Sequence, residues 1–298
     1  KFVPRSQPGP KQHFDYAGAA ALFICLAAFL LALTLGQHGG FERLGVFVIF
    51  SISALALLAF IRIEMAVDEP MIDLSLFKNV LFSINLLTGF MLFVSTAGIL
   101  LILPLYLQNI LGYSPRPAGL LMAVTPLVIA VVAPLSGNLS DRLGSRPIST
   151  LGLLVLASAY LGVATLNEDT TALGYLVRFV PVGLGVGLFQ SPNNSAVMGS
   201  VPRAQLGVAS GLLSLTRTIG QTSGIAISSA IWESRVAFYA GGVIPGGVTH
   251  APAALQVAGL QDTVRAAAFV LAAAFLISLW ALAQFIRARR ANASQALQ

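Results

Sequence analysis

Of 298 residues, 56% are hydrophobic and 9% charged, and mean hydropathy is +0.84, values that exclude a water-soluble domain of this length. The formal charge of +6 is spread over connections between apolar runs. It reads as a topology signal for a polytopic membrane protein and requires no nucleic-acid partner.

Residues 1–13 are polar and proline-containing, lack the apolar core of a signal peptide, and read as a cytoplasmic linker from something upstream. Eight apolar runs follow, near 17–35, 44–61, 80–103, 118–135, 148–166, 172–189, 208–232 and 264–286. Each approaches the roughly 20 residues that a helix rising about 1.5 Å per residue needs to cross hydrocarbon. Their continuous apolarity, without alternation, favours helices over a membrane barrel. Between the second and third runs, Met71, Leu74 and Phe77 share helical spacing, consistent with an interfacial helix or an ordinary solvated linker. The connection 234–263 contains Gly241-Gly242 and Ile244-Pro245-Gly246-Gly247 and is expected to be largely irregular.

With the amino terminus inside, eleven basic residues face the cytoplasm: Lys1, Arg5, Lys11, Arg62, Lys78, Arg142, Arg146, Arg203, Arg287, Arg289 and Arg290. Four face out, namely Arg43, Arg116, Arg235 and Arg265. This asymmetry predicts that both termini are cytoplasmic.

Cys25 is the single cysteine, and His13, His38 and His250 are scattered over three connections. No His-Glu-x-x-His or Gly-x-Ser-x-Gly pattern occurs, so no catalytic residue, metal site or cofactor is expected.

Polar residues inside the runs carry more information. Arg217 lies about ten residues, or roughly 15 Å, from either end of its run. Ser210, Ser214, Arg217, Gln221, Gly224 and Ser228 fall on one helical stripe, which suits either a cavity wall or close packing with a carbonyl-bonded arginine. Arg217 keeps its proton and cannot act as a proton carrier. Arg178 is near an outer end and is expected to snorkel outward. Gly183, Gly185 and Gly187 predict close packing, Pro126, Pro134, Pro181 and Pro192 predict bends, and Gln190, Asn193 and Asn194 place amides at an inner end, as inter-helix hydrogen-bonding groups and candidate gate elements rather than substrate ligands. No Asp or Glu falls in the middle of a run.

The segment Gly137-Asn138-Leu139-Ser140-Asp141-Arg142-Leu143-Gly144-Ser145-Arg146-Pro147 is a charged, glycine-punctuated turn. Asp141 could accept from a helix amino terminus, and Arg142 and Arg146 could bridge to carboxylates or phosphates; the plainer reading is a positive-inside turn. The segment resembles the Gly-x-x-x-Asp-Arg-x-Gly-Arg-Arg loop signature of the major facilitator superfamily, with Ser145 at a position that is often basic. Pro104-Leu-Tyr106-Leu-Gln108 through Gly112-Tyr113-Ser114, and Gln190-Ser-Pro192-Asn193-Asn194 leading to Gly207-Val-Ala-Ser-Gly211, resemble the second half of the fourteen-span EmrB/QacA-type drug:proton antiporters.

That resemblance implies an all-α membrane protein. Two linker helices with an interfacial connection occupy 14–79, a six-helix carboxyl-terminal transporter domain 80–290, and a cytoplasmic tail 291–298. It implies a conformational latch at Gly137, Asp141, Arg142, Gly144 and Arg146. It also implies multi-pass residence in the plasma membrane and proton-driven export of amphipathic small molecules. The partners are then a small-molecule substrate, protons, the lipid bilayer and an amino-terminal half that would also supply the coupling carboxylate. A non-transporting scaffold or sensor, or a transporter of one metabolite or siderophore, are the alternatives.

Overall fold

The computed structural model describes residues 15–40, 42–68, 70–242 and 244–295. The linker 1–13 with Lys1, Arg5, Lys11 and His13, the side chains of His38, Arg289 and Arg290, and residues 296–298 of the tail lie outside the described residues. The described chain is helical, with no strand among those residues, and divides into two compact units, Lys1–Ser75 and Leu76–Gln298.

The first unit is a hairpin of α1 (Tyr16–Gly39) and α2 (Leu44–Ala66). Asp15 caps α1 by accepting from the Gly18 N–H at 2.8 Å. The interior is small: Ser53 Oγ donates to the Cys25 carbonyl at 2.9 Å, and Phe29 meets Phe50 edge to face at 6.0 Å. Phe23, Phe47, Leu55 and Leu58 are exposed, as lipid-facing side chains should be. Glu64, expected in a loop, instead belongs to the last turn of α2 and is only 4% exposed. Its Oε2 accepts from the Ile72 N–H at 3.1 Å, while its Oε1 and Asp15 Oδ2 are both buried without a hydrogen-bond partner. These two oxygens lie around the space that a Cβ on Gly18 would fill. The connection after α2 contains a single 3-10 turn, Leu74–Lys78, where a longer interfacial helix had been one expectation.

The second unit comprises α3 (Val80–Leu105), α4 (Pro115–Met122), α5 (Val124–Leu143), α6 (Ser145–Val163), α7 (Ala172–Gly199), α8 (Leu206–Ala240) and α9 (Ala253–Gln295). Helix α3 is central, packed on α7, α8 and α9, while α6 lies between α7 and α9, and α5 covers α7. Leu92, Ile99, Leu153, Leu156, Val163 and Leu271 form part of the core. Glycine sets how close the helices come: a Cβ on Gly185 would sit 2.7 Å from the Leu156 amide nitrogen, and one on Gly152 2.6 Å from that of Phe189.

Among the described residues, seven stretches are long and apolar enough to cross a membrane: Tyr16–Gln37, Leu44–Ala66, Val80–Ile110, Pro115–Leu143, Ser145–Val163, Ala172–Gly199 and Ala253–Arg287. The run 208–232 does form a helix, and α8 at 35 residues extends about 52 Å. Its Arg, Gln, Ser and Thr content keeps it out of the apolar class.

Several boundaries move. The fourth run begins at Pro115 and is interrupted at Ala123, because Pro126 has no N–H for the Met122 carbonyl. The expected irregular connection 234–263 shrinks to 241–252, since α8 continues to Ala240 and α9 starts at Ala253. Polar residues of that extension find partners there. Trp232 Nε1 donates to the Gln256 carbonyl at 3.1 Å, Gln256 Nε2 to the Ala251 carbonyl at 2.8 Å, and Gln261 Nε2 to the Leu166 carbonyl at 2.7 Å.

Candidate functional site

The 3.6-residue periodicity of α8 gives it a polar stripe, and the structure divides the stripe between two tasks. Toward its carboxyl end the stripe is a packing seam against α3. A Cβ on Gly98 would collide with Ser228, and one on Gly224 would lie 2.8 Å from the Val94 carbonyl carbon. Toward its amino end, Ser210, Ser214 and Arg217 line a cavity of about 150 Å³.

That polar cavity is walled by α3, α7 and α8. Asn85, Gly89 and Phe93 come from α3, and Phe189, Gln190, Asn193 and Asn194 from α7. The expected residues Ser214, Arg217, Gln190, Asn193 and Asn194 therefore converge here. Asn193 is 2% exposed and its Oδ1 has no hydrogen-bond partner; Gly89, opposite, leaves it room, with a Cβ there 3.5 Å from Nδ2. Arg217 makes no ion pair or hydrogen bond with the other described residues.

Gln221 does not join this cavity. It lines a second, apolar one of about 430 Å³ with Thr96, Leu100, Met122, Thr125, Tyr160, Tyr175, Phe179 and Val182. Tyr175 stacks on Phe179 with centroids 4.1 Å apart. These wall residues were missed in the sequence; the aromatic pair at i and i+4 beside two glycine-lined helix faces was the available signal. Arg217 and Gln221 are one turn apart on α8, about 6 Å along its axis, so the two cavities are neighbours on the same helix.

The charged turn is shorter than expected. Gly137, Asp141 and Arg142 belong to the last turns of α5, Gly144 alone breaks the chain, and Arg146 is the second residue of α6. Only glycine adopts the φ of +91° at residue 144 without strain, and its N–H donates to the Ser140 carbonyl at 2.8 Å. Gly137 faces Ser191 of α7, with a Cβ there 3.2 Å from Oγ. Asp141 and Arg142 are exposed and form no ion pair or hydrogen bond with the other described residues. Arg146 is half-buried, its guanidinium 3.7 Å from the centre of the Phe285 ring on α9, with Nη1 unpartnered. A crevice holding Arg146 and Ser149 also reaches Asn85, which borders the polar cavity as well.

Opposite these basic residues, at the other end of the unit, Arg178 reaches across to the end of α6. Its Nε donates to the Gly162 carbonyl at 3.2 Å and Thr165 Oγ1 at 3.0 Å, capping the end of α6. Asp262 of α9 pairs with Arg235 of α8 at 2.6 Å and Arg265 at 2.8 Å, and Tyr239 donates to it at 2.7 Å.

The described residues thus form a bundle of largely apolar helices around two unlike cavities, with a basic turn at one end. Residues 16–225 match the family model of the Major Facilitator Superfamily, and the chain belongs to that family. It is 30% identical over 240 residues to the riboflavin transporter RibZ of Clostridioides difficile, covering 80% of this chain and 51% of that protein. It is 35% identical over 168 residues to the uncharacterized transporter YebQ of Escherichia coli, covering 56% and 37%. It is 30% identical over 234 residues to the multidrug transporter protein MdtP of Bacillus subtilis, covering 78% and 43%. The chain thus spans about half or less of the length of each.

Proposed function

We propose that this chain forms the carboxyl-terminal part of a fourteen-span plasma-membrane transporter that exports amphipathic small molecules by proton antiport and alternating access. One observation carries the reading: on consecutive turns of α8, a polar cavity around Arg217 adjoins an apolar cavity of drug-binding size. An amphipathic solute has the same two-part chemistry. The named activities of the multidrug transporter protein and the riboflavin transporter support membrane transport of small organic molecules.

In this reading α8 also spans and brings the total to eight, its polar stripe shielded by α3 and the cavity, and both ends of the chain are cytoplasmic. The basic end, with Lys78, Arg142, Arg146 and Arg203, lies inside. Asp141, Arg142 and Arg146 act as a latch on the cytoplasmic side, opening as an amino-terminal domain rocks against this one. No Asp or Glu lines either cavity, which supports a coupling carboxylate supplied by that further domain. The likeness to the riboflavin transporter favours a second reading, a single metabolite as cargo.

The test is export measured in inverted vesicles from cells expressing the natural gene, with and without collapse of the pH gradient. Gradient-dependent accumulation of an amphipathic dye supports antiport. Accumulation of riboflavin alone favours the second reading, and absence of any accumulation contradicts both.

A further inference from the structure

The polar cavity has its own chemistry and its own size. About 150 Å³ is the scale of an engineered cavity that admits one benzene ring, whereas sites for whole drug-sized ligands run to roughly 300–1,000 Å³. The cavity therefore suits one end of a molecule, with the apolar cavity one turn away suited to its body.

Two lining groups are chemically incomplete. Arg217 is a permanent cation with no partner among the described residues, and Asn193 presents a buried, partnerless acceptor. The buried Asn193 acceptor is costly unless a ligand completes it, while the exposed Arg217 guanidinium offers its donors to whatever enters the cavity. Every other polar lining side chain, Asn85, Gln190, Asn194, Ser210, Ser214 and Thr216, is neutral, so nothing in the wall neutralises the guanidinium. A cationic head would meet an unopposed like charge there.

We infer that the polar cavity is a headgroup subsite for an anionic or zwitterionic amphiphile, with a carboxylate-type oxygen on Arg217 and an N–H or O–H donor on Asn193. Guanidinium offers two parallel donors to a carboxylate, and the Asn193 Oδ1 selects a donor close to it. The inference rests on the transport reading above and deepens it by fixing the charge class of the cargo.

Binding to the purified natural gene product tests it with three fluorescent probes sharing one body. These are N-(2-naphthoyl)glycine, its neutral primary amide, and the amine N-(2-aminoethyl)-2-naphthamide. The acid is expected to bind about ten times or more tighter than the amide, and the amine weakest. Arg217→Gln should bring the acid to the amide's affinity without changing the amide. Arg217→Glu should reverse the order in favour of the amine, and Asn193→Leu should weaken all three, which share the amide N–H.

Equal affinity of acid and amide, preference for the amine in the unaltered protein, or equal loss of acid and amide in Arg217→Gln would overturn the subsite. If that happens while Val182→Trp, which fills the apolar cavity, still abolishes binding, the transport reading survives without it. If no probe of any charge binds, both fall.

Discussion

Replacing Gly224 by alanine probes whether α8, the most polar of the long helices, is packed as tightly as a spanning helix requires. The new methyl would strike the Val94 carbonyl, with its carbon and Cα both at 2.8 Å, where ordinary contacts begin near 3.4 Å. These neighbours are backbone and the Val94 carbonyl oxygen lies closer still, so α3 and α8 would have to part by about 1 Å, and the Gly98–Ser228 contact one turn on would open with them. Overpacking of this kind costs about 1–3 kcal/mol, partly offset by up to about 1 kcal/mol of helix propensity, leaving a loss of roughly 1–2 kcal/mol. Gly211→Ala is the control on the same helix, with nothing within 4 Å of the added carbon, and should gain about 0.5–1 kcal/mol. Unfolding by SDS in mixed micelles, followed by tryptophan fluorescence, should separate the two variants by about 1.5–3 kcal/mol. Equal stability of the two would refute a close α3–α8 seam.

In the hairpin, Glu64→Gln converts an oxygen facing Asp15 Oδ2 into an amide donor and should stabilise by about 1 kcal/mol; labelling of Cys25, the only thiol, should slow roughly fivefold. Faster labelling would contradict the arrangement. Arg178→Met should lower unfolding free energy by about 1–2 kcal/mol, because the Gly162 and Gly174 carbonyls lose their donor; Arg178→Lys should restore only part of it, with one point donor in place of a fork. Asp262→Asn removes both ion pairs, yet Arg235 and Arg265 keep 38% and 52% side-chain exposure, so the loss should stay near 1 kcal/mol and shrink in high salt. A loss that salt leaves unchanged would place the main contribution in the Tyr239 hydrogen bond.

The sequence disclosed the helices because each apolar run had to satisfy its own backbone, and α7 starts at Ala172 as its run does. It was less informative where polar residues continue a helix beyond lipid. Gln256, Gln261 and Asp262 looked like loop residues, yet each finds a partner at the end of the unit far from Arg146 and α9 begins at Ala253. The turn at Gly144 looked eleven residues long because charge marks where lipid ends, whereas the helix ends only at the positive-φ glycine. Periodicity made the α8 stripe around Arg217 legible, and the α7 amides stood out as polar residues at a helix end, but that the two sets share one cavity emerges only from the packing of α7 on α3 and α8. Gln221 lines the apolar cavity rather than the polar one, because four residues advance a helix about 40° past a full turn. The aromatic wall of that cavity, Tyr160, Tyr175 and Phe179, is made of residues that in sequence look like any buried core.

The central claim is that solute moves along the face where α3, α7 and α8 meet. The most direct measurement is the initial rate of gradient-driven export in inverted vesicles for the unaltered gene product and for Arg217→Gln at matched membrane abundance. The account predicts robust export in the first and a loss of about tenfold or more in the second, with unfolding stability unchanged. Unaltered export by Arg217→Gln would contradict it.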